Sequence, residues 1–261
     1  MRVHSFEPSA RLRPHVRAIR VIVTGADVLT APLPEPGLVL GVRYAGHAVM
    51  LEHDGAREIP RVTLSGIRPS VRRIYTTAGG GLVVVVFQAT GAAHFFDRPL
   101  HELFSGMADL ADLTSRTGID RLQTRIAEAG TDADRAALVD AYLCSRLVEC
   151  AEDPVVTAAA AAIRRARGRL RVEALGLRLG LSTDRLEKRF RRSVGASPKQ
   201  LASIVRFRHA VRAYRPGLTL TQLAYDAGYC DQSHLVRDFR AVTGQAPGDF
   251  LRSPFYWADA P

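Results

Sequence analysis

"LGLRLGLSTDRLEKRFRRSVGASP" (175–198) and "LAYDAGYCDQSHLVRDFRAVTGQAP" (223–247) are two copies of one pattern. In the first, Leu175, Gly180, Leu186, Phe190, Gly195 and Pro198 follow one another at intervals of five, six, four, five and three residues. In the second, Leu223, Gly228, Leu235, Phe239, Gly244 and Pro247 follow at five, seven, four, five and three. The copies therefore differ by one extra residue in the second turn. A fixed set of apolar residues and glycines recurring at such an interval marks one supersecondary unit used twice.

Each unit reads as a short helix, a glycine turn and a second helix. The turn glycine allows a positive φ that other residues resist. On the second helix of the first copy, Leu186 and Phe190 lie four apart and share one face. At about 100° per residue, Asp184, Arg185, Lys188, Arg191 and Arg192 then point away from it. In the second copy Leu235 and Phe239 set the core side, and Ser233, His234, Arg237 and Arg240 point outward. A helix with an apolar anchor and a polar, basic ridge suits the major groove of DNA. Between the units, "SPKQLASIVRFRHAVRAY" opens with an S-x-x-Q capping box and a proline at the first helical position. Its 17 residues from Pro198 to Tyr214 span roughly 25 Å at ~1.5 Å per residue. That length can set two reading helices near one DNA turn apart, ~34 Å.

The charge agrees with this placement. The chain of 261 residues has a net charge of +10. Residues 1–153 hold 17 arginines against 18 acidic residues, and 154–261 hold 19 basic against 8 acidic. The excess is thus −1 in the first part and +11 in the second, the footprint of a nucleic-acid surface. Arginine supplies 34 of the 36 basic residues, which biased genomic composition could favour, but composition would not leave the first part unloaded.

Residues 1 to about 97 read as β-rich. "RAIRVIVTG", "GLVLGVRYAG", "HAVMLEHDG", "RVTLSGI" and "GLVVVVFQATG" are short β-branched runs between turn residues, suggesting a sandwich or small barrel. From Pro99 the period turns helical through "PLHELF", "IDRLQTRIAEAG" and "DADRAALVDAYLCSRLVEC". "AEDP" (151–154) ends that run and is the domain boundary. The fold expected is α+β with two domains, 1–153 and 154–261. At 47% hydrophobic and 24% charged residues, the composition is that of a folded soluble protein. Its longest apolar run, Leu82–Phe87, is far too short to span a bilayer. The amino terminus lacks a signal-peptide apolar region. A cytoplasmic protein with reduced, buried Cys144, Cys150 and Cys230 is expected.

Residues 157–252 resemble the double helix-turn-helix domain of the AraC/XylS family of bacterial transcription regulators. The resemblance rests on Ser182, Leu186 and Phe190, on Arg206 and Ala210 of the linker helix, and on "LAYDAGYCDQSHLVRDFRAVTGQAPGDF". Gly176 departs from it, standing where the family has alanine and where the second copy has Ala224. The glycine is expected to loosen the first unit by about 1 kcal/mol. The first 153 residues resemble the cupin-like sensor half of such proteins more weakly. The resemblance implies a small-molecule effector or protein partner at 1–153, a homodimer, and RNA polymerase as a partner if the protein activates.

The expectation is a sequence-specific regulator on promoter DNA, without catalytic residues, metal or cofactor. Gln232, Ser233, His234 and Arg237 are expected to read bases, with Asp184, Glu187 and Lys188 at the matching places of the first unit. Arg185, Arg191, Arg192 and Arg240 are expected on the phosphate backbone. Two rivals are a metal-dependent cupin enzyme with a DNA-binding tail and a non-specific architectural protein. His47, His53, His94 and His101 form no H-x-H cluster with a following carboxylate, which speaks against the first. "AGGG" (78–81) precedes a strand rather than a helix and reads as a turn, not a phosphate loop. Cys144 and Cys150 fall on different faces of a helix, so a redox pair is not expected.

Overall fold

The computed structural model describes residues 1–97, 99–148 and 152–252. Cys150 lies outside them. The five β-branched runs form β2 (Val16–Val23), β4 (Val39–Ala45), β5 (Ala48–Glu52), β7 (Val62–Ser65) and β9 (Gly81–Phe87). Shorter strands join them: β1 (Arg2–Phe6), β3 (Val28–Thr30), β6 (Gly55–Glu58), β8 (Arg73–Thr76) and β10 (Met107–Asp109). They build two antiparallel sheets, one in the order β1-β2-β9-β4-β7-β10 and one in the order β3-β8-β5-β6.

Side chains alternate between the faces of a strand, and here the two faces have different neighbours. In β4 and β9, Leu40 lies opposite Val85 and Val42 opposite Val83, and none of the four is exposed at all. With Ile19, Val21 and Leu64 they form a core closed by α1 (Arg116–Glu128) and α2 (Asp132–Arg146). Those helices add Ile119, Leu122, Ile126 and Val139 to the cluster. The alternate residues Ile22, Val39, Leu82 and Val84 face the second sheet across a cavity of about 270 Å³. "PLHELF" departs from the helical expectation: Leu100–Leu103 makes only a 3-10 turn.

The carboxy-terminal helices follow the sequence punctuation. They are α3 (Pro154–Arg165), α4 (Val172–Arg178), α5 (Thr183–Val194), α6 (Pro198–Ala213), α7 (Leu220–Ala227), α8 (Gln232–Thr243) and α9 (Pro247–Arg252). The turn glycines Gly180 and Gly228 have φ of +67° and +77°. The Ser197–Gln200 capping box is formed in both directions. Gly176 has a reason of its own. A Cβ there would lie 2.9 Å from the carbonyl oxygen of Leu181, closer than packed atoms tolerate. The first turn, one residue shorter, folds its backbone onto the helix. Close approach of the Leu181 carbonyl thus gives the glycine a packing reason beside its helix-propensity cost.

Apolar packing divides between the two units rather than between the halves of the sequence. Leu186, Phe190 and Val194 of α5 belong to the cluster that holds the sheet core and Leu100. A second cluster gathers Phe207, Leu223, Leu235, Phe239 and Phe250, and takes in Leu33 from the β region. Its rings meet at centroid distances of 4.9 Å (Phe207–Phe239) and 5.5 Å (Phe239–Phe250). Each such pair contributes ~1 kcal/mol beyond burial. No helix is long and apolar enough to cross a membrane among the described residues. The thiols depart from expectation, since Cys144 is half-buried and Cys230 exposed.

Candidate nucleic-acid interface

The two ridge helices are set by local chemistry. Ser182 caps α5 by accepting from the Arg185 amide, and Asp231 caps α8 by accepting from the His234 amide at 2.7 Å. Leu186 and Phe190, and Leu235 and Phe239, are fully buried. Asp184, Arg185, Lys188, Arg191 and Arg192 are exposed on α5, and Gln232, Ser233, Arg237 and Arg240 on α8. Glu187 and His234 are half-buried.

The cations sort into two groups. Among the described residues, the side chains of Arg185, Lys188, Arg192, Arg237 and Arg240 make no hydrogen bond or ion pair within the chain. Their donors are uncommitted. Among the described residues Arg191 pairs with Glu187 alone, at 3.9 Å and solvent-exposed, a contact worth ~0.3–0.5 kcal/mol. Gln232 accepts from Thr221 Oγ1 at 2.8 Å, which leaves its amide nitrogen to donate elsewhere. His234 leans edge-on against Tyr229, 5.1 Å between centroids.

Other arginines are consumed by the fold, and sequence reasoning missed them. Arg189 of α5 grips Asp153 with two bonds of 2.7 Å. Asp153 also caps α3 through the amides of Val155 and Val156. Desolvation pushes the Asp153 carboxyl up, but Arg189 and the two amides outweigh it, and the group lies below its ordinary range. Arg206 covers the Tyr229 ring at 4.7 Å, and the Tyr229 hydroxyl donates to Asp238 at 2.6 Å. Burial, with Asp238 beside it, pushes that phenol up. The spacing of these partners in sequence gave no signal; only the tertiary fold unites them.

The β region touches both units. Beneath α5 lie the 3-10 turns Gly91–His94 and Leu100–Leu103. The Val71 amide donates to the carbonyl of Val242 in α8 at 2.8 Å. Arg208 of α6, buried, donates to Pro34 O and pairs with Glu35, both at 3.1 Å. Glu35 also holds Arg17, and Arg20 at 3.9 Å. Arg20, Glu35 and Arg208 line the cavity between the sheets, with Arg43, Arg68 and Arg72. Burial, with Arg72 and Arg208 nearby, holds Arg68 down to about 9. Arg43 is 6% exposed, and its Nε is buried without a hydrogen-bond partner.

The four histidines weighed from sequence do not converge. His47, His53 and His101 are exposed, and His94 is buried. His94 instead meets His15 and Glu152.

Residues 175–253 match the family model described as a helix-turn-helix domain. Over 104 residues the chain is 34% identical to an AraC-like transcription regulator of Streptomyces lividans. That match takes in 39% of this chain and 34% of the relative, so the chain spans about a third of the curated regulator it matches. Two solved structures of ToxT from Vibrio cholerae, an apo variant and the unsaturated-fatty-acid-bound wild type, are each 13% identical. They cover 89% and 94% of this chain and 96% of their own, with TM-scores of 0.49 and 0.46. The repeated units and their glycine turns thus coincide with the matched helix-turn-helix span, and over part of its length the chain is similar to an AraC-like transcription regulator.

Proposed function

We propose that the chain recognises specific promoter DNA by laying α5 and α8 into successive major-groove segments, and that its β region carries the input. One observation carries the DNA reading: the exposed ridges of α5 and α8 hold cations with no partner among the described residues, while Arg189 and Arg206 behind them are paired. A cation kept exposed and uncommitted on a helix anchored from behind has phosphate or base acceptors as its natural partner. On α8, Gln232, Ser233, His234 and Arg237 read bases, with Arg237 forked onto a guanine. On α5, Lys188, Asp184 and Glu187 add at most a guanine or cytosine contact. Arg185, Arg191, Arg192 and Arg240 hold the backbone.

The boundary at 153/154 separates the two roles, although α5 leans on the β region. The two-sheet architecture supports a cupin-like reading of that region. Its cavity supports a small-molecule input. Five arginines and one carboxylate line a space whose other walls are apolar or hydroxyl-bearing, an excess of positive charge that an entering anion would balance. An anionic, largely apolar compound answers both features. The reading assigns the chain to the cytoplasm and gives it no catalysis. It allows for a homodimer and, if the output is activation, for contact with RNA polymerase.

The test is binding of the full chain to duplex DNA across a salt series. Affinity should fall with a log–log slope of about −0.9 per phosphate contacted, and replacing Arg185, Arg192 and Arg240 by alanine should flatten it. Salt-independent binding, or a slope unmoved by the triple replacement, contradicts the reading.

A further inference from the structure

His15, His94 and Glu152 lie far apart in the chain and meet at one point. His15 immediately precedes β2, His94 closes the 3-10 turn Gly91–His94, and Glu152 precedes the cap of α3. One ligand-capable atom from each lies within 4.8 Å of the other two. His94 Nε2 stands 3.4 Å from Glu152 Oε1. Two ligands bound at ~2.0–2.1 Å in a tetrahedral shell stand about 3.3–3.4 Å apart. For the His94–Glu152 pair the spacing is that of two ligands on one ion.

The rings are prepared for such a role. His94 Nδ1 lies 3.4 Å from the carbonyl oxygen of Val148, an acceptor that favours the ring proton on Nδ1, and Nε2 faces Glu152. His15 Nδ1 is buried and has no hydrogen-bond partner. The two rings stack at 4.2 Å, tilted by 46°. The His15 backbone is fixed, because the Gln88 amide donates to the His15 carbonyl at 2.8 Å. Gly91 also presses so close that a Cβ there would lie 1.9 Å from that oxygen. A plain His94–Glu152 ion pair accounts for neither the second imidazole nor its orphaned nitrogen.

We propose that His15, His94 and Glu152 bind one divalent transition-metal ion of the zinc class, with water completing the shell. Two imidazoles and one carboxylate suit zinc, cobalt or nickel; magnesium and calcium prefer oxygen donors. None of the three residues lines the cavity between the sheets, so this site is separate from the input cavity. It is placed to act on the first unit. Glu152 adjoins Asp153, which holds Arg189 of α5, and the His94 turn packs beneath the same helix. A bound ion would fix both supports of α5 at once. The effect on DNA rests on the proposed function; the metal site does not.

The experiment uses the full untagged chain, stripped with chelator and titrated with cobalt(II). The expected result is one equivalent bound, with the intense visible absorption of a four-coordinate ion, bleached by zinc. Glu152→Gln, on a side chain 40% exposed and so tolerant of change, should weaken binding tenfold or more, and His94→Ala should abolish it. Zinc should shift the DNA midpoint several-fold in the wild type and not in Glu152→Gln. Absence of stoichiometric binding, or a spectrum and affinity that Glu152→Gln leaves unchanged, overturns the site. Stoichiometric binding that leaves the DNA midpoint unmoved overturns its coupling to α5. A chain that binds cobalt as expected but no DNA under any condition counts against the proposed function and not against the site.

Discussion

Arg208 and Glu35, 173 residues apart in sequence, form an ion pair of 3.1 Å at the wall of the inter-sheet cavity. Their side chains are 6% and 13% exposed. Arg208 belongs to the helix joining the two DNA-binding units, and Glu35 to the β region. One carboxylate thus answers three arginines: Arg17, Arg20 and Arg208. Removing it takes the shared carboxylate from three guanidiniums and breaks the buried pair with Arg208, a change that typically costs about 3–5 kcal/mol. Glu35→Gln is therefore expected to lower stability by about 3 kcal/mol in urea denaturation, and Glu35→Gln with Arg208→Met to cost less than the two single changes added. Strict additivity would show that the pair does not couple the domains.

An anion entering the cavity would compete with Glu35 for these arginines. Thermal-shift screening should find stabilisation by carboxylates with apolar tails and none by their neutral amides. The shift should shrink in Arg43→Ala, which removes the guanidinium with an orphaned Nε. Equal stabilisation by acid and amide would assign the cavity to a neutral ligand.

Gly176→Ala separates helix propensity from close packing. Propensity alone predicts a gain of about 1 kcal/mol for alanine. The Leu181 carbonyl, 2.9 Å from the would-be Cβ, predicts a loss instead, of about 1–2 kcal/mol. Chemical denaturation gives the sign directly. A stabilised variant would mean that the first turn relaxes at little cost.

What was legible in the sequence was what is local. The two units announced themselves because a positive φ demands glycine and a buried helix face demands Leu and Phe four apart. The strands with β-branched runs were legible for the same reason. β6, "GARE", was not: all four residues are exposed, so no face carries an apolar signal. β1, "RVHSF", alternates too weakly to stand out, and β3 and β10 are only three residues long. The ridge residues were legible as outward by angle, but which arginines were free was not. Arg189 and Arg192 look alike in sequence, and only the approach of Asp153 commits one of them. The clusters of Glu35 with Arg17, Arg20 and Arg208, and of His15 with His94 and Glu152, gather residues from distant parts of the chain. No spacing rule predicts such convergence.

Arg189→Ala should expose the difference between a supporting and a reading arginine. It frees Asp153 and loosens α5 from α3, so affinity should fall by a similar factor for every DNA sequence, with α3 less protected in hydrogen exchange. Loss of preference at one base pair with unchanged exchange would make Arg189 a reader.

The central claim is that α5 and α8 read DNA sequence together and unequally. The most direct test is selection of bound sequences from random duplex DNA by the full chain, followed by a base-substitution scan with Arg237→Ala and Lys188→Ala. The account predicts two preferred elements about one helical turn apart. Arg237→Ala should relax preference at one guanine by ~1–3 kcal/mol, and Lys188→Ala should weaken all sequences more evenly. An enriched pool with no common sequence, or specificity lost with Lys188→Ala and kept with Arg237→Ala, would contradict it.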